Sequence, residues 1–342
     1  GRREMKSSNI GGQAVMEGIM MRHEEEYSIA VRTPDNEIKV KVEPYKSFIE
    51  CKTLRKIPII RGVISFVDSL VVGMKCLMYS ASFIEEDEEE KEQRRKREEK
   101  MSAEELEKHR EKEKKQESAL MYGVVAFSLV IAVAVFMMLP YFLTSLLRNV
   151  TDATWILSVT EALVRVGIFL AYLILISRMK DIQRTFMYHG AEHKCINCIE
   201  HGMELNVENV LKSSRLHKRC GTSFLFFVII VSAVLLMFVQ MESPVLRIVV
   251  RLLLVPVIAG VSFEIIRLAG RSDNPLVNAL SKPGLALQKL TTREPDAAQA
   301  EVAIAAVEAV FDWKAYLREN FGYSGKEASC EAEREILSGR VG

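Results

Sequence analysis

No glycine-rich stretch of this chain ends in Gly-Lys-Ser/Thr, so a phosphate loop of the nucleoside-triphosphatase kind is excluded. An aromatic stacking platform is also missing, and no nucleic acid is expected as a partner. No internal repeat appears, and no pair of glycine- or proline-broken helices falls in matching halves, which weighs against a transporter. Net charge is almost nil at +1, so any basic patch must be argued locally. The cysteines, Cys51, Cys76, Cys195, Cys198, Cys220 and Cys330, form no even framework, and several sit beside lysine, histidine or arginine. Reduced thiols in a cytoplasmic setting fit them better than a secreted disulfide scaffold. The opening Gly-Arg-Arg-Glu has no apolar h-region, so no cleavable signal peptide is expected.

What the chain does have is segregation. Hydrophobic residues make up 49% and charged residues 27%, and the two classes separate into long charge-free runs and one dense charged block. That is the pattern of a membrane protein. Ser118 to Leu147 holds no charge and is long enough to cross a hydrocarbon core of about 30 Å. Trp155 to Ser177 reads as a second crossing, broken by Glu161 and Arg165, which stand four apart and can pair on one helical face. Thr222 to Met241 reads as a third and Val245 to Ala269 as a fourth, the latter carrying Arg247, Arg251, Glu264 and Arg267. The segment 178–221 carries Arg178, Lys180, Arg184, Lys194, Lys212, Arg215, Lys218 and Arg219, against Arg148 alone in the short connections at 148–154 and 242–244. By the positive-inside rule, both termini and this loop are expected to face the cytoplasm.

Tyr27 to Thr33 and Glu37 to Val42 alternate apolar with polar residues around Pro34-Asp35-Asn36, predicting a β-hairpin, to which Ile10 to Val15 adds a further strand. Ile57 to Phe83 is apolar at helical spacing but interrupted by Arg61, Asp68 and Lys75; it reads as an interfacial or re-entrant helix, with a fifth crossing as the alternative. Residues 85–117 carry 26 charged positions, a solvated helix or tether with no core. Pro295 to Phe311 forms an amphipathic helix whose apolar stripe docks on the cytoplasmic part. The fold class is therefore a mainly α membrane protein of about four transmembrane helices with a cytoplasmic α+β cap. Its regions are an N-terminal strand and hairpin region (1–56), the interfacial helix (57–84), the tether (85–117), a first transmembrane pair (118–177), a His/Cys-rich loop (178–221), a second pair (222–269) and a C-terminal helical region (270–342).

The stretch "YHGAEHKCINCIEHG", residues 188–202, concentrates the chemistry. On a helix, His193, Ile196 and Glu200 fall within about 40° of His189, so two imidazoles one turn apart face a common point. His-x-x-Glu-His is also the spelling of the inverted zinc-protease motif, in which the glutamate, here Glu192, acts as general base. That pattern wants a distant third ligand; Glu264 stands 71 positions after His193, and Glu200 is the local competitor. A rival reading places zinc on Cys195-x-x-Cys198 and His217-x-x-Cys220. On a continuous helix Cys198 lies opposite His189, so the two readings compete. Gly11 to Gly18 reads either as a strained turn packing against the His189 helix, its glycines permitting close approach and positive φ, or equally as a plain strand and turn.

Taken together, "GGQAVMEGIMMR", "HGAEHK", "HKRCGTSF", "AGVSFEIIRLAG" and "PGLALQKLTTREPD" resemble the YqhQ-like family of bacterial multi-pass membrane proteins, in the family's order, from about Gly11 to Ala306. The resemblance implies a metal-dependent enzyme, with polar positions at Gln13, Glu17, His189, Glu192, His193, Glu200, His217, Cys220 and Glu264. It also implies that Cys195 stands where the family often has another small residue, which counts against the site of three cysteines and one histidine.

The expected function is metal-dependent hydrolysis at the cytoplasmic membrane face. Here His189 and His193 bind a divalent ion such as zinc, Glu200 or Glu264 completes the set, and Glu192 takes the proton. Gln13, Glu17, His217 and Cys220 are supporting or alternative ligands. The rival is a non-enzymatic scaffold or accessory factor for membrane-protein assembly, whose polar cluster is a hydrogen-bonded core. Partners are the lipid bilayer and, in the scaffold reading, other membrane proteins.

Overall fold

The structure, a computed structural model, describes residues 6–49, 51, 53–83, 96, 101–239, 243–269 and 275–324. Four strands come first, β1 (Gly11–Val15), β2 (Gly18–His23), β3 (Glu26–Arg32) and β4 (Ile38–Pro44). Helices follow: α1 (Ile60–Ala81), α2 (Ala103–Val133), α3 (Leu139–Ser145), α4 (Thr154–Ile176), α5 (Lys180–Glu200), α6 (Val207–Lys212), α7 (Gly221–Met237), α8 (Pro244–Ala269), α9 (Pro275–Thr291), α10 (Ala297–Glu308) and α11 (Trp313–Phe321). The chain divides into two units, one of Gly1–Ser82, Ile174–Val228 and Ala259–Gly342, the other of Phe83–Leu173 and Ile229–Ile258.

In the first unit the strands form an antiparallel meander in the order β1-β2-β3-β4. The hairpin read from sequence is β3–β4, with Arg32 opposite Ile38 and Asn36 taking a positive φ of 63° in its turn. The β1–β2 hairpin pairs Val15 with Gly18 across Met16-Glu17, and Glu17 takes a positive φ of 51°. The glycines ahead of it do not: Gly11 and Gly12 are ordinary strand residues, which corrects the strained-turn reading.

One face of the sheet is covered by α5 and α10, the other by α1. Ile19 and Met21 of β2 join Tyr188, Ile196 and Ile199 of α5 and Val302, Ala303 and Val307 of α10 in one core. Burying a valine or leucine side chain there contributes about 1.5 to 3 kcal/mol. Asp296 and Gln299 cap α10 reciprocally, so the helix begins just after Pro295 and docks as its apolar stripe requires.

The set of helices long and apolar enough to cross a membrane differs from the sequence reading, although the number four stands. Among the described residues it comprises Ile60–Ala81, Glu105–Ser145, Thr154–Ile176 and Val245–Ala269. The third crossing read from sequence contributes only Gly221–Met237, at 17 residues short of the roughly 20 a span needs. Helix α1, read as interfacial, meets the length, yet its Asp68 is buried and held by the segment that follows β4. Asp68 accepts hydrogen bonds from Tyr45 Oη (2.9 Å), Ser47 Oγ (2.6 Å) and the Phe48 amide (2.7 Å), and Gly73 lies against the Gln13 amide group.

In the second unit α2 begins at a Ser102 capping box with Glu105 and runs from the charged block directly into apolar sequence. The charged block is thus helical from Ala103 onward; residues 85–95 and 97–100 lie outside the described residues. The helix opens into a π turn at Ala134–Met138 ahead of Pro140. Proline has no amide hydrogen, so the Phe136 carbonyl four residues earlier loses its helical donor.

Candidate metal centre

Helix α5 carries the site. It runs without interruption through Cys195 and Cys198, and its second half is buried throughout. A polar ladder on this helix captures the segment that follows α6. The Lys194 ammonium donates to the carbonyls of Leu211 (2.7 Å) and Ser213 (2.8 Å), and the Asn197 amide donates to those of Ser214 (2.6 Å) and Leu216 (3.0 Å). His193 Nδ1 donates to the Arg215 carbonyl at 2.7 Å. Gln288 of α9 then holds the His217 backbone from both sides, accepting from its N–H (2.9 Å) and donating to its carbonyl (2.7 Å). These bonds route the chain so that Cys220, just ahead of α7, arrives beside His189.

His189 Nδ1 lies 2.8 Å from the Thr291 carbonyl, which can only accept, so Nδ1 carries the hydrogen and Nε2 presents its lone pair. The same argument applies to His193 through Arg215. His189 Nε2 is 3.2 Å from Cys220 Sγ, and the two imidazole rings meet edge-on with centroids 4.4 Å apart. Among the described residues, one group of histidine, cysteine and carboxylate donors lies close enough to hold one metal ion. It is His189, His193 and Cys220, whose donor atoms all fall within 4.8 Å of one another. The Thr222 amide, in the first turn of α7, donates to the Cys220 sulfur at 3.3 Å, the polarity that favours negative charge at a helix start. Two imidazoles with the remote nitrogen tied to a carbonyl, plus one thiol, form a donor set suited to zinc.

Glu192 is 5% exposed and sits under the sheet, where the Gly12 amide donates to its carboxylate. Burial pushes its carboxyl up to about 7, with the neighbouring His189 and the Gly12 amide pulling the other way. Gly12 is required here: a Cβ at that position would stand 2.7 Å from Glu192 Cγ.

The other sequence candidates have different partners. Glu200, fully buried, accepts from the Ser8 amide (2.7 Å), Ser8 Oγ (2.8 Å), His217 Nε2 (3.3 Å) and the Arg219 guanidinium. Burial alone raises a carboxyl, but the His217 hydrogen bond and the Arg219 charge overcome it and hold Glu200 at about 2. Burial depresses His217 below its ordinary value against the upward pull of Glu200. His217 stands next to His193, ring centroids 5.8 Å apart, and lines a cavity of about 280 Å³ with Asn197, Glu200, Lys218 and Arg219.

Glu264 is held by both nitrogens of an Arg61 fork and by the Ile59 amide. Glu17 pairs with Arg184 and accepts from Tyr188 Oη at 3.1 Å. Gln13 faces α1 at Gly73. Neither Glu200 nor Glu264 belongs to the donor group that contains the histidine pair. The Cys195-Cys198-His217-Cys220 site is not formed, because α5 continues through both cysteines. Cys195 is sealed in the apolar core, and Cys198 turns to the Met203 and Glu204 carbonyls. Sequence reasoning missed Thr291 and Arg215, whose contribution is a backbone carbonyl and leaves no side-chain signature.

Helices of membrane-spanning length and a strand-backed unit with buried histidine, cysteine and carboxylate groups define a multi-helix membrane protein with an attached α+β unit. Comparison with known proteins makes the relationship specific. The chain belongs to the family described as "Protein of unknown function (DUF1385)", whose model matches residues 57–313. It is 35% identical over 295 residues to "Uncharacterized protein YqhQ" of Bacillus subtilis (strain 168), spanning 86% of this chain and 89% of that protein. The resemblance read from the five motifs is thus borne out. No solved structure matches. Neither description names a reaction, a metal or a substrate, so any enzymatic reading rests on the site alone.

Proposed function

We propose that this protein is a metal-dependent hydrolase of the bacterial cell membrane, with His189, His193 and Cys220 as the ligands. The observation that carries the reading is the convergence of those three donors within 4.8 Å, with both imidazoles fixed through Nδ1 to backbone carbonyls. Cys220 takes the third place in preference to Glu200 and Glu264, whose oxygens are engaged by Arg219 and Arg61. A bound divalent ion such as zinc supplies Lewis-acid activation of a substrate or water oxygen. The Thr291 and Arg215 carbonyls orient the two rings, and the sheet keeps bulk water from Glu192. Its carboxylate, aimed by the Gly12 amide and poised near neutrality, is the group that accepts and returns a proton. The lysine and arginine excess of the 178–221 segment supports placing this site, and both termini, on the cytoplasmic side.

The test is metal content of the full chain purified in detergent. Stoichiometric zinc that is lost in His189→Ala and His193→Ala, and kept in Glu264→Gln, supports the enzyme. Absence of metal from a folded wild type overturns it and favours the scaffold, in which the same groups form a hydrogen-bonded core.

A further inference from the structure

Between β4 and α1 the first unit carries a segment that the proposed reaction does not use. Its start is clamped. The buried Asp68 of α1 accepts from the Tyr45 hydroxyl, the Ser47 hydroxyl and the Phe48 amide, and the Arg22 guanidinium lies 3.3 Å from the centroid of the Tyr45 ring. The backbone at Phe48 is therefore fixed, yet its ring points outward and is 75% exposed.

Phe48 does not stand alone. Leu54, Ile57, Ile59 and Ile60 are each more than a third exposed, so five large apolar side chains meet solvent within thirteen residues. Single exposed apolar residues are ordinary on a protein surface, whereas a run of them marks a surface that something apolar covers. Cations are interleaved with them. Lys46, Arg55 and Lys56 are exposed, the last two at the end of a short 3-10 turn, Leu54–Lys56. By sequence, residues 46–60 hold Lys46, Lys52, Arg55 and Lys56 against Glu50 alone, a net +3 in a chain whose total is +1.

We propose that residues 46–60 form an interfacial anchor that seats on an anionic phospholipid leaflet. Water suits the cations but not the apolar groups, and a dry protein interface suits the apolar groups but not the cations. The surface of an anionic bilayer suits both, because acyl chains receive the apolar side chains while headgroup phosphates receive lysine and arginine. Position agrees with this partner: the segment runs straight into α1, a helix long and apolar enough to cross a membrane. Phe48 enters the acyl region, Lys46, Arg55 and Lys56 meet phosphates, and Asp68 sets the depth by holding the Phe48 backbone. The anchor is separate from the histidine pair and does not depend on the hydrolase reading.

Cys51 supplies a native reporter, being exposed where Cys76, Cys195, Cys198 and Cys220 are buried. The full chain with Cys330→Ser is labelled at Cys51 with an environment-sensitive fluorophore. It is then placed in nanodiscs of phosphatidylcholine, with or without phosphatidylglycerol, both containing a nitroxide lipid that quenches on contact. Blue-shifted emission and about twofold stronger quenching are expected in the phosphatidylglycerol discs, falling back to the phosphatidylcholine level in molar salt. Arg55→Gln combined with Lys56→Gln should abolish most of that difference. Phe48→Ser should weaken quenching in both lipids, and both variants should unfold at the wild-type temperature. The salt titration on the unsubstituted segment needs no variant to fold. Equal emission and quenching in both lipids at every salt concentration overturns the proposal, as does a phosphatidylglycerol effect that survives the loss of Arg55 and Lys56. A fluorophore already shielded in lipid-free detergent, with two chains per particle by native mass spectrometry, gives the surface to a second copy and also overturns it.

Discussion

Replacing Glu200 by glutamine tests whether that carboxylate is an anchor or a ligand. Glu200 is fully buried, bonded to Ser8 through both its amide and its hydroxyl, to His217 and to Arg219. A carboxyl held at about 2 against an ordinary 4.5 contributes about 3 kcal/mol to stability at neutral pH. Glutamine keeps the shape and part of the hydrogen bonding but removes the counter-charge of Arg219. A loss of about 2 to 3 kcal/mol is expected, lowering the unfolding temperature by about 5 to 10 °C at roughly 2 to 4 °C per kcal/mol.

The pH dependence gives a second readout. Because the folded value is depressed, the Glu200 contribution is complete above the unfolded value near 4.5 and fades as pH falls toward 2. His217, also depressed, acts in the same direction and begins to cost stability as pH falls below its ordinary value of 6.5. Thermal unfolding of wild type and Glu200→Gln from pH 8 to pH 3 should show a gap that narrows in acid, with metal content equal in the two proteins at pH 7. A variant as stable as wild type, or one that loses metal while keeping its stability, would refute the assignment of Glu200 as an anchor.

Gly190→Ala should be among the most damaging small substitutions. Its Cβ would lie 2.0 Å from the Arg293 carbonyl, and overpacking there costs about 1 to 3 kcal/mol, read as a lower denaturant midpoint. Asn197→Ala removes two bonds to the Ser214 and Leu216 carbonyls and should loosen the segment that delivers Cys220. The expected cost is about 1 to 3 kcal/mol, with faster amide exchange across residues 213–219. Lys194→Met should act on the same segment, since its ammonium also reaches the Leu211 and Ser213 carbonyls and Glu294; limited proteolysis after α6 would reveal it.

The legible parts of the fold were those governed by local periodicity. The β3–β4 hairpin was readable because β4 is largely exposed, and Pro34-Asp35-Asn36 supplied the turn. Strand β2 was not, because α5 and α10 cover one face and α1 the other; Gly18 to Met21 are all buried and show no alternation. The histidine pair was readable from i, i+4 spacing on one helix. Its partner Cys220 was named only as a reserve, because what brings it near is a ladder of backbone carbonyls held by Lys194, Asn197 and Gln288, which spacing does not encode. Glu264 looked like a third ligand at a suitable separation until Arg61, 203 positions earlier, claimed both oxygens. Long-range ion pairing of this kind leaves no mark in the local pattern.

The central claim concerns one thiol and two imidazoles, and X-ray absorption at the zinc edge of the purified full chain addresses it directly. The account predicts one sulfur at about 2.3 Å and two imidazole nitrogens at about 2.0 to 2.1 Å, with the sulfur shell absent in Cys220→Ser. A shell of oxygen alone, or a sulfur contribution unchanged in that variant, contradicts it.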